Sequence, residues 1–274
     1  MLRTFATAAA FCLAALPVWA DLSPDETALV EALGIPEIVE VMAEEGTAYG
    51  ADLEAQLFPG KGGARWAAIV RQVYDATVMQ ETVSREMAAA LKGTDLDPLI
   101  EFFESERGRT IISFEISARQ ALTDPDIEAA ANERLAQMRA DEDPRIDQLE
   151  RFVDVNDLIG SNLMGALNSN FAFYLGLNDG NALPDQLTES EMLATIWAQE
   201  DEVRRETELW VYSYLAMAYQ PLSDEDVEAY IELSETREGQ ALNRALFEAF
   251  DDMYTGISRA LGQAASRFIV GEDI

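Results

Sequence analysis

LKGTDLDPLIEFFESERGRTI, residues 91–111, and LSDEDVEAYIELSETREGQAL, residues 222–242, decide how this chain is read. Aligned without gaps at a spacing of 131, they share Leu91/Leu222, Asp95/Asp226, Ile100/Ile231, Glu101/Glu232, Glu104/Glu235 and Gly108/Gly239. Each string starts with acidic residues suited to the first turn of a helix. Each continues through apolar residues at helical spacing and then meets Ser or Thr three residues before a glycine. That order predicts a helix, a tight corner and a second helix.

Working outward, the long stretches that precede the two strings match as well. Trp66, Val73, Gln80 and Met87 recur every seven residues, with Ile69, Ala76, Val83 and Ala90 at the offset positions. Ile196, Val203, Trp210 and Met217 repeat the spacing, flanked by Leu193 and Tyr214. Val73/Val203 and Met87/Met217 align at 130. Each stripe is long enough for a helix of about seven turns, roughly 40 Å. Further upstream, residues 34–39 resemble residues 154–159 at a spacing of 120, which implies about ten residues inserted near Asn178–Gln186. The sequence therefore predicts an all-α protein of two tandem pseudo-repeated helical units packed together, with about five helices each. The first unit covers residues 21–143 and the second residues 144–274, divided at the acidic, proline-broken Asp141-Glu142-Asp143-Pro144.

Punctuation elsewhere is helical too. Ser23-Pro24-Asp25-Glu26 offers an N-cap, a proline at the first helical position and a capping-box glutamate. Thr188…Glu191 and Ser223…Asp226 are further starts, with weaker ones at Asp95–Pro98 and Thr123-Asp124-Pro125. Strand signals are nearly absent: no turn dipeptide sits between alternating apolar runs.

The strings Ile100–Arg109 and Ile231–Gln240 resemble a bacterial exported domain of unknown function, number twenty fifty-nine. The resemblance covers about twenty residues in each copy. It implies an all-helical exported domain and brings no activity or catalytic residue. The Tyr and Pro that commonly flank the Ser in that family, and the Lys after its Gly, are missing here.

Residues 1–20, MLRTFATAAAFCLAALPVWA, read as an export signal. Arg3 supplies the positive start, Phe5–Leu16 the apolar core, and Val18-Trp19-Ala20 the cleavage site, so cleavage is expected after Ala20. The apolar run is short for a bilayer span, and no later segment is long enough. The expected product is periplasmic, with no membrane span after signal cleavage.

Composition removes most chemistry. The chain has no histidine and one cysteine, Cys12, inside the export signal. Ser-His-Asp and Cys-His nucleophile systems, histidine-ligated metal sites and cysteine redox therefore lack their reactive groups. With 19 Lys+Arg against 51 Asp+Glu, the net charge is −32. That balance argues against nucleic acid as a partner. The acidity, with only Lys61 and Lys92 as lysines, reads first as solvation of a surface in salt. No cofactor and no metal is expected.

Carboxylates are the remaining acid/base equipment. Glu37, Glu40 and Glu44 share a helix face, as do Glu101 with Glu104 and Glu232 with Glu235. The Ser105-x-x-Gly108 and Thr236-x-x-Gly239 turns read as helix corners, with an anion-binding helix start as the sharper alternative. Glutamates crowd both turns and oppose anions. Glu200 falls on the apolar stripe, where Arg204 one turn on is its obvious partner. Trp197, Tyr212 and Tyr219 lie off that stripe, either covered by neighbouring helices or exposed for docking. The candidate ligand- or partner-binding residues are Trp197, Glu200, Trp210 and Tyr214, and no catalytic residue is identified. The expected function is a non-enzymatic exported interaction or scaffold protein with an unknown protein or small-molecule partner. The alternative is a small-molecule or peptide-binding module with an apolar pocket between the units, and a carboxylate- or divalent-metal-dependent hydrolase ranks last.

Overall fold

In the computed structural model, residues 22–183 and 187–271 are described; the export signal read from residues 1–20 and Cys12 lie outside them. Among the described residues all regular structure is helical. The order is α1 (Pro24–Ala32), α2 (Ile35–Leu57), α3 (Gly63–Val73), α4 (Ala76–Ala90), α5 (Asp97–Glu104), α6 (Glu106–Ala121) and α7 (Pro125–Ala140). There follow α8 (Arg145–Val155), α9 (Leu158–Asp179), α10 (Glu189–Trp197), α11 (Glu200–Tyr219), α12 (Asp224–Glu235) and α13 (Arg237–Val270). No helix among the described residues is long and apolar enough to cross a membrane.

The helix starts follow from local chemistry. Ser23 and Glu26 form a reciprocal capping box, as do Thr188 and Glu191, so two backbone N–H groups at each start find acceptors. At the two corners, Ser105 Oγ accepts from Gly108 N at 3.0 Å and Thr236 Oγ1 accepts from Gly239 N at 2.9 Å. A Cβ on Gly108 would lie 2.2 Å from the Phe102 carbonyl oxygen, and one on Gly239 would lie 2.0 Å from that of Leu233. Glycine is needed because backbone of the preceding helix occupies that space. The glycine N–H is committed to the cap, which fits a corner rather than an anion site.

Both long stripes are broken rather than continuous. Asp75 accepts from Thr77 N and Val78 N and so starts α4 immediately after α3. The second stripe breaks at Ala198–Gln199, between α10 and α11. A seven-residue apolar spacing survives such breaks because each shorter helix keeps its own face toward the interior. Stripe positions accordingly differ in burial: Trp66, Val83 and Met87 are buried, whereas Ala90 is exposed.

Two large apolar cores result, beside a small cluster of Leu163, Leu167 and Ile196, and the chain crosses between the two large ones. The first joins α1–α5 to α13, through Leu29, Val39, Trp66, Met87 and Phe103 with Met253, Leu261 and Phe268. The second joins α6, α7, α8, α11 and α12, through Ile111, Leu135, Leu149, Phe152, Leu215, Tyr219 and Ile231. So α13, the last helix of the chain, packs on α4, while α6 packs on α11. Phe58 stacks on Phe268 with ring centroids 5.1 Å apart, and Trp66 meets both edge-on. Aromatic pairs of this geometry contribute about 0.5–1.5 kcal/mol beyond burial.

The most extensive helix contact is between α9 and α13. There the backbones nearly touch. A Cβ on Gly262 would lie 2.3 Å from Phe173 O, and one on Gly176 would lie 2.4 Å from Arg259 O. These two glycines let α13 span the molecule along α9 and reach the first core.

A candidate ligand cavity at the seam of the two cores

Where the cores meet, a cavity of about 860 Å³ opens. Its wall takes side chains from α2, α5, α6, α8, α9, α11, α12 and α13, among them Met42, Phe103, Phe152, Tyr230 and Tyr254. That volume lies within the range of small-molecule sites, about 300–1,000 Å³.

Its polar centre lies on α6. Glu115 and Arg119, one turn apart, both line the cavity. Arg119 is tied across to α2: Nε donates to Glu45 Oε1 at 3.1 Å and Nη2 to Glu45 Oε2 at 2.7 Å. This bidentate pair neutralises the guanidinium and fixes its plane. The guanidinium carbon sits 5.5 Å from the centre of the Trp210 ring. Trp210 in turn stacks on Tyr214, with centroids 5.2 Å apart and planes within 6°. Arg119 thereby orders an aromatic wall through its cation–π contact.

Glu115 is held on one side only. Tyr219 Oη donates to its Oε1 at 2.6 Å, and Tyr214 Oη donates to its backbone oxygen at 3.3 Å. Among the described residues Oε2 receives no hydrogen bond. Burial pushes the Glu115 carboxyl up to about 7, against the lowering effect of the Tyr219 hydroxyl. Burial, followed by the Glu115 charge, holds Tyr214, Tyr219 and Tyr230 well above the ordinary phenol range.

Three further carboxylates reach the wall, Asp157, Glu248 and Asp251. Asp157 occupies the left-handed position that starts α9, at φ 46°. Gly34 takes the same conformation before α2, at φ 63°. Asp251 receives the Asn168 amide on both oxygens, at 3.1 and 3.2 Å.

Of the residues singled out in the sequence, Trp210 and Tyr214 meet in this cavity, and the other two lie outside it. Trp197 ends α10 and is 46% exposed, beside Leu193 one turn earlier at 40%. Glu200 pairs with Arg204 at 3.0 Å at the start of α11, and both are partly exposed. Tyr219 is buried in the second core, and Tyr212 lies under Arg139 at 5.1 Å. Glu37, Glu40, Glu44, Glu101, Glu104 and Glu232 are exposed. Glu235 is exposed too and pairs with Arg151 at 3.0 Å. Among the described residues no three acids converge as a metal site.

Glu115 and Arg119 were not singled out. The signal for Glu115 was present: Ile111, Ala118 and Leu122 are buried at helical spacing, and Glu115 sits between them. No protein-family model, curated protein or solved structure matches the chain.

Proposed function

We propose that the chain is a non-enzymatic exported protein that takes a small organic molecule into the cavity between its two cores. The observation that carries this reading is the Trp210–Tyr214 stack beside the half-satisfied Glu115 in a cavity of about 860 Å³. The anchoring of Arg119 by Glu45 holds the aromatic wall in place without a ligand, which suits a preformed site. Export to the periplasm rests on the residue 1–20 signal and on the resemblance to the exported domain. A screen by thermal shift tests the reading: ligands of the cavity raise the melting temperature of the parent chain and not of Trp210→Ala. Equal shifts in both proteins would refute it.

The two halves are read as copies of one helical unit, residues 21–143 and 144–274. Three parallels support this. The Ser105/Gly108 and Thr236/Gly239 corners share a cap and a glycine clash. Left-handed residues precede both α2 and α9, although Gly34 and Asp157 stand 123 apart, not 120. The contact of α4 with α13 has its counterpart in that of α11 with α6. On this reading the copies exchange the helices that follow their corners, α6 and α13.

A second reading, partner docking, has its own support in Leu193 and Trp197, exposed one turn apart on α10. Affinity capture with a Trp197→Ala control tests it, and recovery of the same partners by both proteins would defeat it.

A further inference from the structure

The cavity wall carries four carboxylates, Glu115, Asp157, Glu248 and Asp251, against one guanidinium. Asn156, Asn162 and Asn243 commit their amide nitrogens to the backbone oxygens of Phe152, Leu158 and Asn156, at 3.0, 2.7 and 2.7 Å. Asn168 commits its own to Asp251. Tyr214 and Tyr219 direct their hydroxyl hydrogens to Glu115. The one guanidinium on the wall, Arg119, is neutralised by Glu45. Glu115, Asp157, Glu248 and Asp251 form no ion pair among the described residues. An anion entering here would meet carboxylates that form no ion pair. A ligand that brings donors and positive charge meets the opposite situation. Aromatic faces also attract cations electrostatically.

We propose that the cavity binds an organic ammonium ion with an apolar body, its charge on the open oxygen of Glu115 and its body against the Trp210–Tyr214 stack. This rests on the cavity being a ligand site at all. An ammonium group donates three hydrogen bonds and accepts none, which matches Glu115 Oε2 and the side-chain oxygens of the asparagines. The pairing also supplies the counter-charge that a buried carboxylate needs.

Isothermal titration at pH 7.5 with three probes of similar size decides the question: 2-phenylethylammonium, 3-phenyl-1-propanol and 3-phenylpropionate. The ammonium is expected to bind at least tenfold more tightly than the propionate. Glu115→Gln is expected to abolish that preference and leave the alcohol unchanged, and Asp251→Asn to reduce it. Trp210→Ala is expected to weaken all three probes. At pH 6 ammonium binding should release a proton, read from two buffers of different ionisation enthalpy, and at pH 8 it should not. The groups facing Glu115 are Arg119 on its own helix, Tyr214 and Tyr219 on α11 and Tyr230 on α12. The tyrosines keep their protons throughout this range, so the released proton belongs to Glu115. Propionate binding as tightly as the ammonium, or a preference that survives Glu115→Gln, would overturn the ammonium assignment and leave the cavity site standing. No binding of any probe, or binding indifferent to Trp210→Ala, would overturn both.

Discussion

Glu115→Gln isolates the energetic consequence of placing a carboxyl on the wall of the cavity. In the fold this carboxyl is pushed from 4.5 up to about 7 by burial. At 1.36 kcal/mol for each tenfold change, ionising it in place costs about 3 kcal/mol. The sign follows from linkage. Below about pH 4.5 the carboxyl is protonated whether the chain is folded or unfolded, and its contribution is fully present. Between 4.5 and about 7 the unfolded chain releases the proton while the folded chain retains it, so stability falls as pH rises. Above about 7 both states are ionised and the cost is constant. Glutamine keeps the shape and still accepts from Tyr219, but does not titrate. The variant should therefore match the parent near pH 4.5 and exceed it by up to about 3 kcal/mol at pH 8.

At about 2–4 °C per kcal/mol for a chain of this size, the gap in melting temperature should open by about 6–12 °C. Thermal unfolding of both proteins in identical buffers from pH 4.5 to 8 measures it. Taking the difference cancels the titration of the acids the two proteins share. A gap that stays constant across the range, or a variant less stable than the parent at pH 8, would refute the placement of Glu115.

Gly262→Ala should destabilise the chain by about 1–3 kcal/mol, because its Cβ has no room beside Phe173 O and backbone cannot yield cheaply; thermal unfolding reads it, against Gly256→Ala, where a Cβ meets nothing within 4 Å. If the net charge of −32 is carried against its own repulsion, melting temperature should rise between low and seawater-like salt as that repulsion is screened. The fragment 21–143, expressed alone, should fail to form a cooperatively folded monomer, because it lacks the α13 residues that complete the first core; a sharp monomeric unfolding transition would contradict that dependence.

Much of the fold was legible because its signals are local. Ser23, Thr188, Ser223 and Asp124 cap helices from within three residues, and the Ser105 and Thr236 corners are set by one hydroxyl and one glycine each. The breaks at Asp75 and at Ala198–Gln199 were harder, since the apolar spacing runs through both. The cavity was legible in half. Trp210 and Tyr214 stood out as large residues on a stripe, yet their neighbours Glu115 and Arg119 come from another core-forming segment about a hundred residues away. A carboxylate between Ile111, Ala118 and Leu122 marks a helix that faces something other than pure hydrocarbon. The same reasoning applied to Glu200 selects a partly exposed residue at a helix start, paired with Arg204.

The way α6 and α13 run between the two cores accounts for where the cavity lies. A helix that completes its own unit packs against apolar faces beside it in the chain. Here α6 contributes Ile112 to the first core and Ile111 and Ala118 to the second, and α13 packs into the first. Their crossing places a polar stretch of α6 at the seam, where neither core supplies enough apolar surface to bury it. Glu45 and Tyr219, one from each side, satisfy Arg119 and one oxygen of Glu115. The other oxygen faces the remaining space. A seam filled with apolar side chains would serve stability better, since replacing buried ionic groups by well-packed hydrophobic ones is often stabilising. A buried carboxyl there, beside an ordered aromatic stack, has the perturbed chemistry that clusters at functional sites.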